Sequence, residues 1–287
     1  AARRSRSSAG LEKAASRLKT ALAGMGLGLS FSAAMRSAAD FEASIVNLAK
    51  VSDRPLEQMR AQIMGLDSSL GSYTELAQGY YQVMSAGVTD ATASMEMLTA
   101  SSMAAKAAQV TQADSIRALT SLMTGFSGQL KNAADASDLL FSIERYGKTS
   151  VQELVPVVGD LASTARIAKV SANDMAAAFS IITQTAGSTP VAATQMRSLF
   201  MNIANPSEVM QKTLKGMGTN ATDFFSSNSL MEALKKLQAE AQKTGRTIGA
   251  LFTDREAKVA AENLMSSADK YGEALAGIEA RTGATSS

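Results

Sequence analysis

The side chains that most often carry enzyme chemistry are missing from this 287-residue chain, which contains no His and no Cys. Without them, a Ser-His or Cys-His nucleophile pair, a thiolate, a disulfide and a zinc site with the usual ligands cannot form. We therefore predict a protein that is not an enzyme and that has no catalytic residue, no cofactor and no metal site.

Two kinds of cluster still invite a chemical interpretation. The glycines in residues 24–28 resemble a phosphate loop, but they follow no predicted strand and lack both the Gly-x-Gly-x-x-Gly and the Gly-Lys-Ser/Thr patterns. The acidic pairs Asp135/Asp138 and Glu273/Glu279 have the residue types of an acid–base pair. Both pairs fall on predicted helix surfaces, so we interpret them as solvated charge. An envelope-degrading enzyme is therefore the weakest hypothesis.

Charge is nearly balanced over the whole chain but not at its start. The 28 basic and 26 acidic residues give a formal charge of +2. Within the first twenty positions, six basic residues stand against Glu12 alone. One interpretation is a solvated tail. The other is an arm that contacts DNA phosphate or the acidic wall of a surrounding protein through Arg3, Arg4 and Arg6.

The uncharged segment 21–35 is the nearest approach to a membrane-active element. Glycine and serine interrupt it, and it is shorter than the roughly 20 apolar residues of a membrane-spanning helix. We interpret it as a flexible hinge or a closely packed helix. The alternative is insertion into a membrane, for which Leu27, Leu29 and Phe31 are the predicted contact residues.

The elements that position these residues are predicted to be helices, because helix start signals recur along the chain. A Ser, Thr or Asn side chain accepts hydrogen bonds from the free N–H groups of a first helical turn. A carboxylate three residues later bonds back and favours the positive helix end. The spacing occurs at Ser72/Glu75, Thr111/Asp114, Ser150/Glu153, Ser171/Asp174, Asn205/Glu208, Ser229/Glu232 and Thr253/Glu256.

Prolines and glycines agree with these starts. Pro55, Pro190 and Pro206 are predicted at first helical positions, where the missing N–H costs nothing. Pro156 lies six residues beyond Ser150 and is predicted to kink that helix or delay its start. Glycine is predicted to end helices at Gly87, Gly147, Gly187, Gly218 and Gly245.

Between these signals, apolar residues repeat at helical spacing and no alternating strand pattern persists. We predict an all-α fold without β-sheet, made of short to medium helices in hairpins or a bundle, compact or elongated. Residues 1–32 are predicted as a basic helix and Gly-rich hinge, 33–217 as the main helical domain and 218–287 as a C-terminal subdomain. The predicted helices are 11–22, 33–51, 55–69, 73–86, 90–109, 112–126, 133–146, 151–168, 172–186, 190–204, 206–217, 229–244 and 254–270.

Short motifs follow one another in a characteristic order between residues 33 and 270. Asp40-Phe41-Glu42 comes first, the segment 75–88 (ELAQGYYQVMSAGV) follows, and Leu251-Phe252 stands near the end. This order resembles the conserved minor-tail/tape-measure domain of phage tail tape measure proteins. The positions that carry the resemblance are Phe41, Glu42, Gly71, Tyr80, Gly87, Phe126, Gly187, Arg197, Leu199, Pro206, Gly218 and Phe252.

The resemblance implies a structural protein that occupies the tail tube or tip, sets tail length during assembly and assists DNA ejection. It implies a homo-oligomer, trimer or hexamer, that contacts the tail tube protein, tail-tip or baseplate hub proteins and tail assembly chaperones. Phage DNA and the host membrane are further implied partners. The expected location is the virion tail, after synthesis in the host cytoplasm. The alternative function is a membrane-active helical protein that inserts into the host envelope during genome delivery.

A role in setting length makes a geometric demand. As one globule, a chain of 287 residues has a radius of gyration of about 19 Å. As one continuous helix it would reach roughly 430 Å. We therefore expect extended, bundled helices in a ruler, whereas a compact fold suits a tube end or a state before assembly.

Overall fold

The structure is a computed structural model that describes residues 28–281, with the backbone alone described for residues 28–32. Fifteen α-helices and two short 3-10 helices occupy this part of the chain, and it contains no β-strand. Ser127 and Leu130 form only an isolated bridge. The all-α prediction is confirmed. The predicted helix 11–22 lies outside the described residues.

The helices are short, and turns of a few residues connect most of them. The two 3-10 helices are Ser68–Leu70 and Ile248–Leu251. The α-helices are α1 (Gly28–Leu48), α2 (Leu56–Met64), α3 (Tyr73–Ser85), α4 (Ala91–Ala108), α5 (Gln112–Gly125), α6 (Ala133–Tyr146), α7 (Val151–Leu154), α8 (Val158–Ile167), α9 (Ala172–Thr185), α10 (Thr189–Ala204), α11 (Glu208–Gly216), α12 (Ala221–Ser227), α13 (Leu230–Gln242), α14 (Arg255–Ser266) and α15 (Ala268–Glu279).

The chain divides into two compact units, Ala1–Tyr81 and Gln82–Ser287. In the described part of the first unit, α1 packs on α2, and the rings of Phe41 and Tyr73 lie 5.8 Å apart. Arg54 donates hydrogen bonds to Tyr80 and to Gln62, which ties the α1–α2 connection to both following helices. The domain boundaries predicted near residues 32 and 217 stay predictions.

The core of the second unit is built by helices that pack in overlapping pairs. α5 packs between α4 and α8, α9 between α6 and α15, and α10 between α8 and α14. Small residues let the backbones approach closely. A Cβ on Gly125 of α5 would lie 2.8 Å from the Cβ of Ala162 in α8. Large apolar side chains fill the remaining space and are buried at Leu119, Phe126, Phe179, Phe200 and Leu234.

Five of the seven predicted capping pairs form the expected hydrogen bonds. The side chains of Ser72, Thr111, Ser150, Ser171 and Ser229 each accept from the N–H of the acidic residue three positions on. At Ser229 the carboxylate of Glu232 also bonds back, which completes a capping box. Local spacing therefore predicted these helix starts correctly.

The predictions for Asn205/Glu208 and Thr253/Glu256 are wrong. In the first case a neighbouring residue caps the helix, and in the second the predicted cap bonds to a residue distant in sequence. Asn205 ends α10, and Ser207 caps α11 by accepting from the N–H of Met210. The hydroxyl of Thr253 instead donates to the side chain of Asn202, 2.8 Å away. α14 begins after Asp254 without a side-chain cap.

Several predicted boundaries also shift. The segment 151–168 forms two helices separated at Pro156, as the proline predicted. The segment 254–270 is not one helix, because α14 ends at Ser266 and α15 continues to Glu279. The stretch 218–228, which lies between two predicted helices, contains α12. Pro190 lies in the first turn of α10, whereas Pro55 and Pro206 precede their helices by one and two residues.

Candidate interaction site

An open groove of about 650 Å³ lies within the second unit. One wall is formed by residues 109–121, which are the α4–α5 turn and the first ten residues of α5. The other wall is formed by residues 152–160, where α7 gives way to α8. The volume falls in the range of roughly 300–1,000 Å³ that is typical of ligand-binding clefts. We therefore take this groove as the candidate site.

The first wall is held by a tight turn between α4 and α5. Gln109 adopts a left-handed conformation with φ 55°, and the N–H of Val110 bonds to the carbonyl of Ala105 at 3.0 Å, which closes α4 in a Schellman motif. Thr111 then caps α5, and its hydroxyl donates to Oδ2 of Asp114 at 2.7 Å. The turn thus fixes the Asp114 carboxylate at the groove.

Asp114 also forms an ion pair along α5. Its Oδ1 accepts a hydrogen bond from Arg117, whose side chain is 76% exposed. An exposed pair of this kind is worth roughly 0–1 kcal/mol. The Arg117 side chain is therefore free to exchange between Asp114 and another acceptor.

The second wall contains a break in the helical backbone. Pro156 has no N–H, so it cannot donate the hydrogen bond that the carbonyl of Gln152 would accept in a continuous helix. Both residues line the groove. Gly159 lies close to α5, because a Cβ there would come within 3.2 Å of the Ser121 hydroxyl. At the rim, Asp160 accepts from Arg197 of α10 at 3.0 Å.

The turn between α8 and α9 repeats the local structure of the first wall. Lys169 has φ 61°, and the N–H of Val170 bonds to the carbonyl of Ala165 at 2.9 Å. Ser171 caps α9, and its hydroxyl donates to Oδ2 of Asp174 at 2.7 Å. The same sequence pattern, Val-Thr/Ser-x-x-Asp, therefore gives the same geometry twice.

The surroundings of Asp174 differ from those of Asp114, because Asp174 is buried. Its Oδ1 accepts from the hydroxyl of Tyr271 at 2.5 Å and from the N–H of Leu230 at 3.2 Å. Beyond it, Arg281 donates to Asn173 at 2.6 Å and pairs with Asp135 at 2.8 Å. These bonds fix α15 and the start of α13 to α9.

The burial of Tyr271 raises the pKa of its phenol above the ordinary value near 10, and the adjacent negative charge of Asp174 raises it further. The hydroxyl thus stays protonated and remains a donor to Asp174. Its hydrogen bond to Asp174 therefore joins α15 to α9.

The two acidic pairs identified in the sequence differ in their exposure to solvent. The interpretation of Asp138 as solvated charge is wrong, because this residue is buried in α6. Asp135 is only partly exposed and pairs with Arg281. Glu273 and Glu279 are exposed on α15, as predicted. Residues 28–281 contain no cluster of His, Cys, Asp and Glu arranged to hold a metal ion.

The sequence matches one known protein family. A family model described as phage-related minor tail protein matches residues 58–254, more than half of the chain. The chain belongs to this family. Membership gives this minor tail protein a structural role in the phage tail, and the resemblance to a minor-tail/tape-measure domain is confirmed. No curated protein and no solved structure matches the chain. Both walls of the groove lie inside the matched residues.

The structure does not gather the family-motif residues of this minor tail protein into one site. Most of the apolar ones lie in the core, where Phe41, Tyr80, Phe126, Leu199 and Phe252 are buried. The remaining motif residues hold turns or form surface pairs. Positive φ angles occur at Gly71, Gly87, Gly187 and Gly218, Pro206 precedes the cap of α11, Glu42 pairs with Arg60, and Arg197 pairs with Asp160 at the groove rim.

The predicted DNA and membrane contacts were placed at the start of the chain. Arg3, Arg4, Arg6 and Leu27 lie outside the described residues. Leu29 and Phe31 belong to the first turns of α1, where only the backbone is described. Among the helices between residues 28 and 281, none is long and apolar enough to span a bilayer. Both contacts stay predictions.

Sequence reasoning missed the groove and the buried cluster at Asp174. The capping pairs Thr111/Asp114 and Ser171/Asp174 were both visible, but each was interpreted as a helix start and nothing more. The repeated Val before each cap was the available signal. Nothing local distinguishes the exposed carboxylate from the buried one, because the difference comes from helices about a hundred residues away in sequence.

Proposed function

We propose that this minor tail protein is part of a tail tape measure protein, which sets tail length during assembly and assists DNA ejection. The match to the phage-related minor tail protein family over residues 58–254 carries the proposal. The ordered tape-measure motifs and the all-α fold support it. The proposed location is the tube lumen or the tail tip.

The proposed partners follow from that role. They are other copies of the chain, as a trimer or hexamer, the tail tube protein, tail-tip or baseplate hub proteins and assembly chaperones. DNA and the host membrane are proposed as transient partners during ejection. We also propose that the chain is not an enzyme, which the absence of His and Cys supports. Release of labelled peptidoglycan by the purified chain above a buffer blank would contradict this.

The helices constrain how the chain contributes to length. The longest described helix, α1, has 21 residues and spans about 31 Å. In the second unit, successive helices fold back on one another through short turns. We propose that this folded state belongs to the tube end or to the period before assembly, and that length is counted by extended helices in the assembled tail.

An in-frame deletion tests the proposal. Removing residues 82–281 from the gene of the encoding phage is expected to shorten tails by roughly 1.5 Å per residue if these residues are extended in the tube, or about 300 Å in total. Electron microscopy of purified tails gives the length. Normal tails in normal yield after this deletion would contradict the proposal.

A point variant is the matched control. Asp174→Ala leaves the number of residues unchanged but is expected to destabilise the fold. If length depends on the number of residues, the tails that form with this variant keep their normal length even where their yield falls. Tails shortened by Asp174→Ala would show that the folded domain, not the extended chain, determines length.

A further inference from the structure

We propose that the groove between α5 and the α7–α8 segment binds an amphipathic helix of another tail protein, and that this helix donates a hydrogen bond to Asp114. The inference rests on the proposed function, because it requires a partner within the tail. It goes further by naming the surface, the form of the partner and the contact that selects it.

The chain itself shows how this local structure is covered. The groove-lining positions of α5 recur in α9 at the same distance from the cap. There they are Asp174, Ala177, Ala178 and Ile181, and all four are buried. The corresponding face of α5 lines an open groove, and Arg117 is 76% exposed there. All four positions of the α9 face are therefore packed, whereas only Ala118 is buried among the equivalent positions of α5.

A helix from the C-terminal end of the described residues covers α9. Helix α15 packs on it, and Tyr271 donates to Oδ1 of Asp174. The corresponding Oδ1 of Asp114 accepts a bond from the exposed side chain of Arg117. A carboxylate oxygen has room for more than one donor, as Asp174 demonstrates with two. A partner helix can thus bond to Asp114 as α15 bonds to Asp174.

The walls of the groove have the chemistry to hold an amphipathic helix. Ala118 is buried at the floor, and Val110 and Val155 are half-buried, so an apolar stripe of a helix can pack there. The rim offers acceptors, because Asp160 is 68% exposed and takes one hydrogen bond from Arg197, which leaves its carboxylate room for a second donor. Pro156 also leaves the carbonyl of the residue four positions earlier without its helical donor. Acceptors at the rim favour a helix that carries Tyr, Lys or Arg beside its apolar stripe.

A second copy of the chain fits less well than another protein. The helix of this chain with the matching donor is α15, and its Tyr271 is already buried against α9. Arg281 and Gly277 hold it there, since a Cβ on Gly277 would collide with the ring of Tyr146 in α6. Release of α15 from one copy would expose its own Asp174. We therefore assign the groove to a different tail protein.

Site-specific photocrosslinking in the assembling tail tests the assignment. A photoreactive residue replaces Gln152, which is exposed and lines the groove, and a control replaces Glu273 on the exposed face of α15. Mass spectrometry identifies the linked peptide. We expect Gln152 to link about tenfold more than the control, to one helical peptide of one other tail protein that carries Tyr, Lys or Arg.

Variants that close the groove or reverse its charge complete the test. Ser121→Trp fills the space beside Gly159, and Asp160→Lys reverses a rim charge without entering the core. We expect each to reduce the crosslink by about tenfold, while Glu273→Lys leaves it unchanged. If Ser121→Trp does not fold, as judged by circular dichroism, Asp160→Lys alone decides.

Three outcomes would overturn the inference: crosslinks only to another copy, crosslinks no more frequent than at the control position, or an undiminished crosslink in Asp160→Lys. Each is separable from failure of the proposed function, which is read from tail length in the deletion phage. Tails that shorten on deletion but show no groove-specific crosslink would refute the groove and leave the length-setting role in place.

Discussion

The turn from α4 to α5 and the turn from α8 to α9 reverse the chain in the same way. Each has a left-handed residue that is not glycine, Gln109 or Lys169, followed by Val and a capping Thr or Ser. Each cap hydroxyl lies 2.7 Å from an aspartate oxygen. Their surroundings differ, because one aspartate pairs with Arg117 at the surface and the other is buried under Tyr271.

The comparison separates two levels of structure. Residues within six positions of one another determine the turn, so the turn forms wherever the pattern occurs. Helices that lie far away in sequence determine whether its carboxylate faces water or protein. The same side chain thus contributes little to stability in the first turn and much in the second.

The largest expected difference between the turns comes from removing their carboxylates. Asp174→Ala leaves the hydroxyl of Tyr271 and the N–H of Leu230 buried without their acceptor. It should lower the free energy of unfolding by about 3 kcal/mol or more. Asp114→Ala should lower it by about 1 kcal/mol or less. Urea denaturation followed by circular dichroism measures both, and equal losses would refute the comparison.

Close backbone packing should cost a similar amount at two glycines outside the compared turns, Gly125 at the end of α5 and Gly147 after α6. A Cβ on Gly125 would lie 2.8 Å from Ala162, and one on Gly147 would lie 2.7 Å from the carbonyl oxygen of Ile143. Substituting either glycine by Ala is expected to cost about 1–3 kcal/mol through overpacking. Gly216→Ala is the control, because a Cβ there meets nothing within 4 Å. It should be neutral or stabilising by up to about 1 kcal/mol.

Alkaline pH should weaken only the second turn. The phenol of Tyr271 has a raised pKa in the folded state, so above pH 10 the unfolded chain loses this proton while the folded chain keeps it. Stability contributed by the neutral phenol is complete below pH 10 and falls above it, by up to about 1.4 kcal/mol per pH unit. Tyr271→Phe should cost about 1–2 kcal/mol at pH 7 and then show a shallower decline.

Thermal denaturation of the wild type and Tyr271→Phe between pH 8 and pH 11 gives both slopes. Tyr81→Phe is a suitable control, because it removes a tyrosine that is only half-buried. Parallel slopes for the wild type and Tyr271→Phe would show that the buried phenol does not cause the decline.

The smallest expected effects on stability come from the left-handed residues and should be equal in the two turns. Gln109 and Lys169 have φ angles of 55° and 61°, a region that costs residues other than glycine roughly 1 kcal/mol. Gln109→Gly and Lys169→Gly are each expected to stabilise the protein by up to about 1 kcal/mol. Calorimetry under one buffer condition compares them. A gain at one position and a loss at the other would show that the surroundings, not the turn, determine the backbone cost.

The same division explains how much the sequence could predict. The side chains of Ser229 and Glu232 each bond to the N–H of the other residue, so their spacing was sufficient to locate the start of α13. Pro156 breaks a helix through its own missing N–H, and that break was predicted as well. Thr253 failed as a cap because Asn202, 51 residues earlier, accepts from its hydroxyl and its N–H.

The candidate site was beyond sequence reasoning for the same reason. Asp114 and Asp174 have matching local patterns, yet the burial of Asp174 depends on Tyr271, 97 residues later. Asp138 looked like a solvated surface charge and is instead buried in the core. No periodicity within one helix carries this information. The groove is likewise the space left between two segments whose pairing the sequence does not show.

The separation in sequence between Asp174 and Tyr271 also determines when during synthesis the Asp174 carboxylate becomes buried. The turn itself closes through residues within six positions, so it can form soon after α9 leaves the ribosome. Tyr271 and Arg281 are translated about a hundred residues later, and at 5–20 residues per second they follow after roughly 5–20 seconds. We expect nascent chains to hold an exposed face on α9 during that interval, which a ribosome-bound chaperone can recognise.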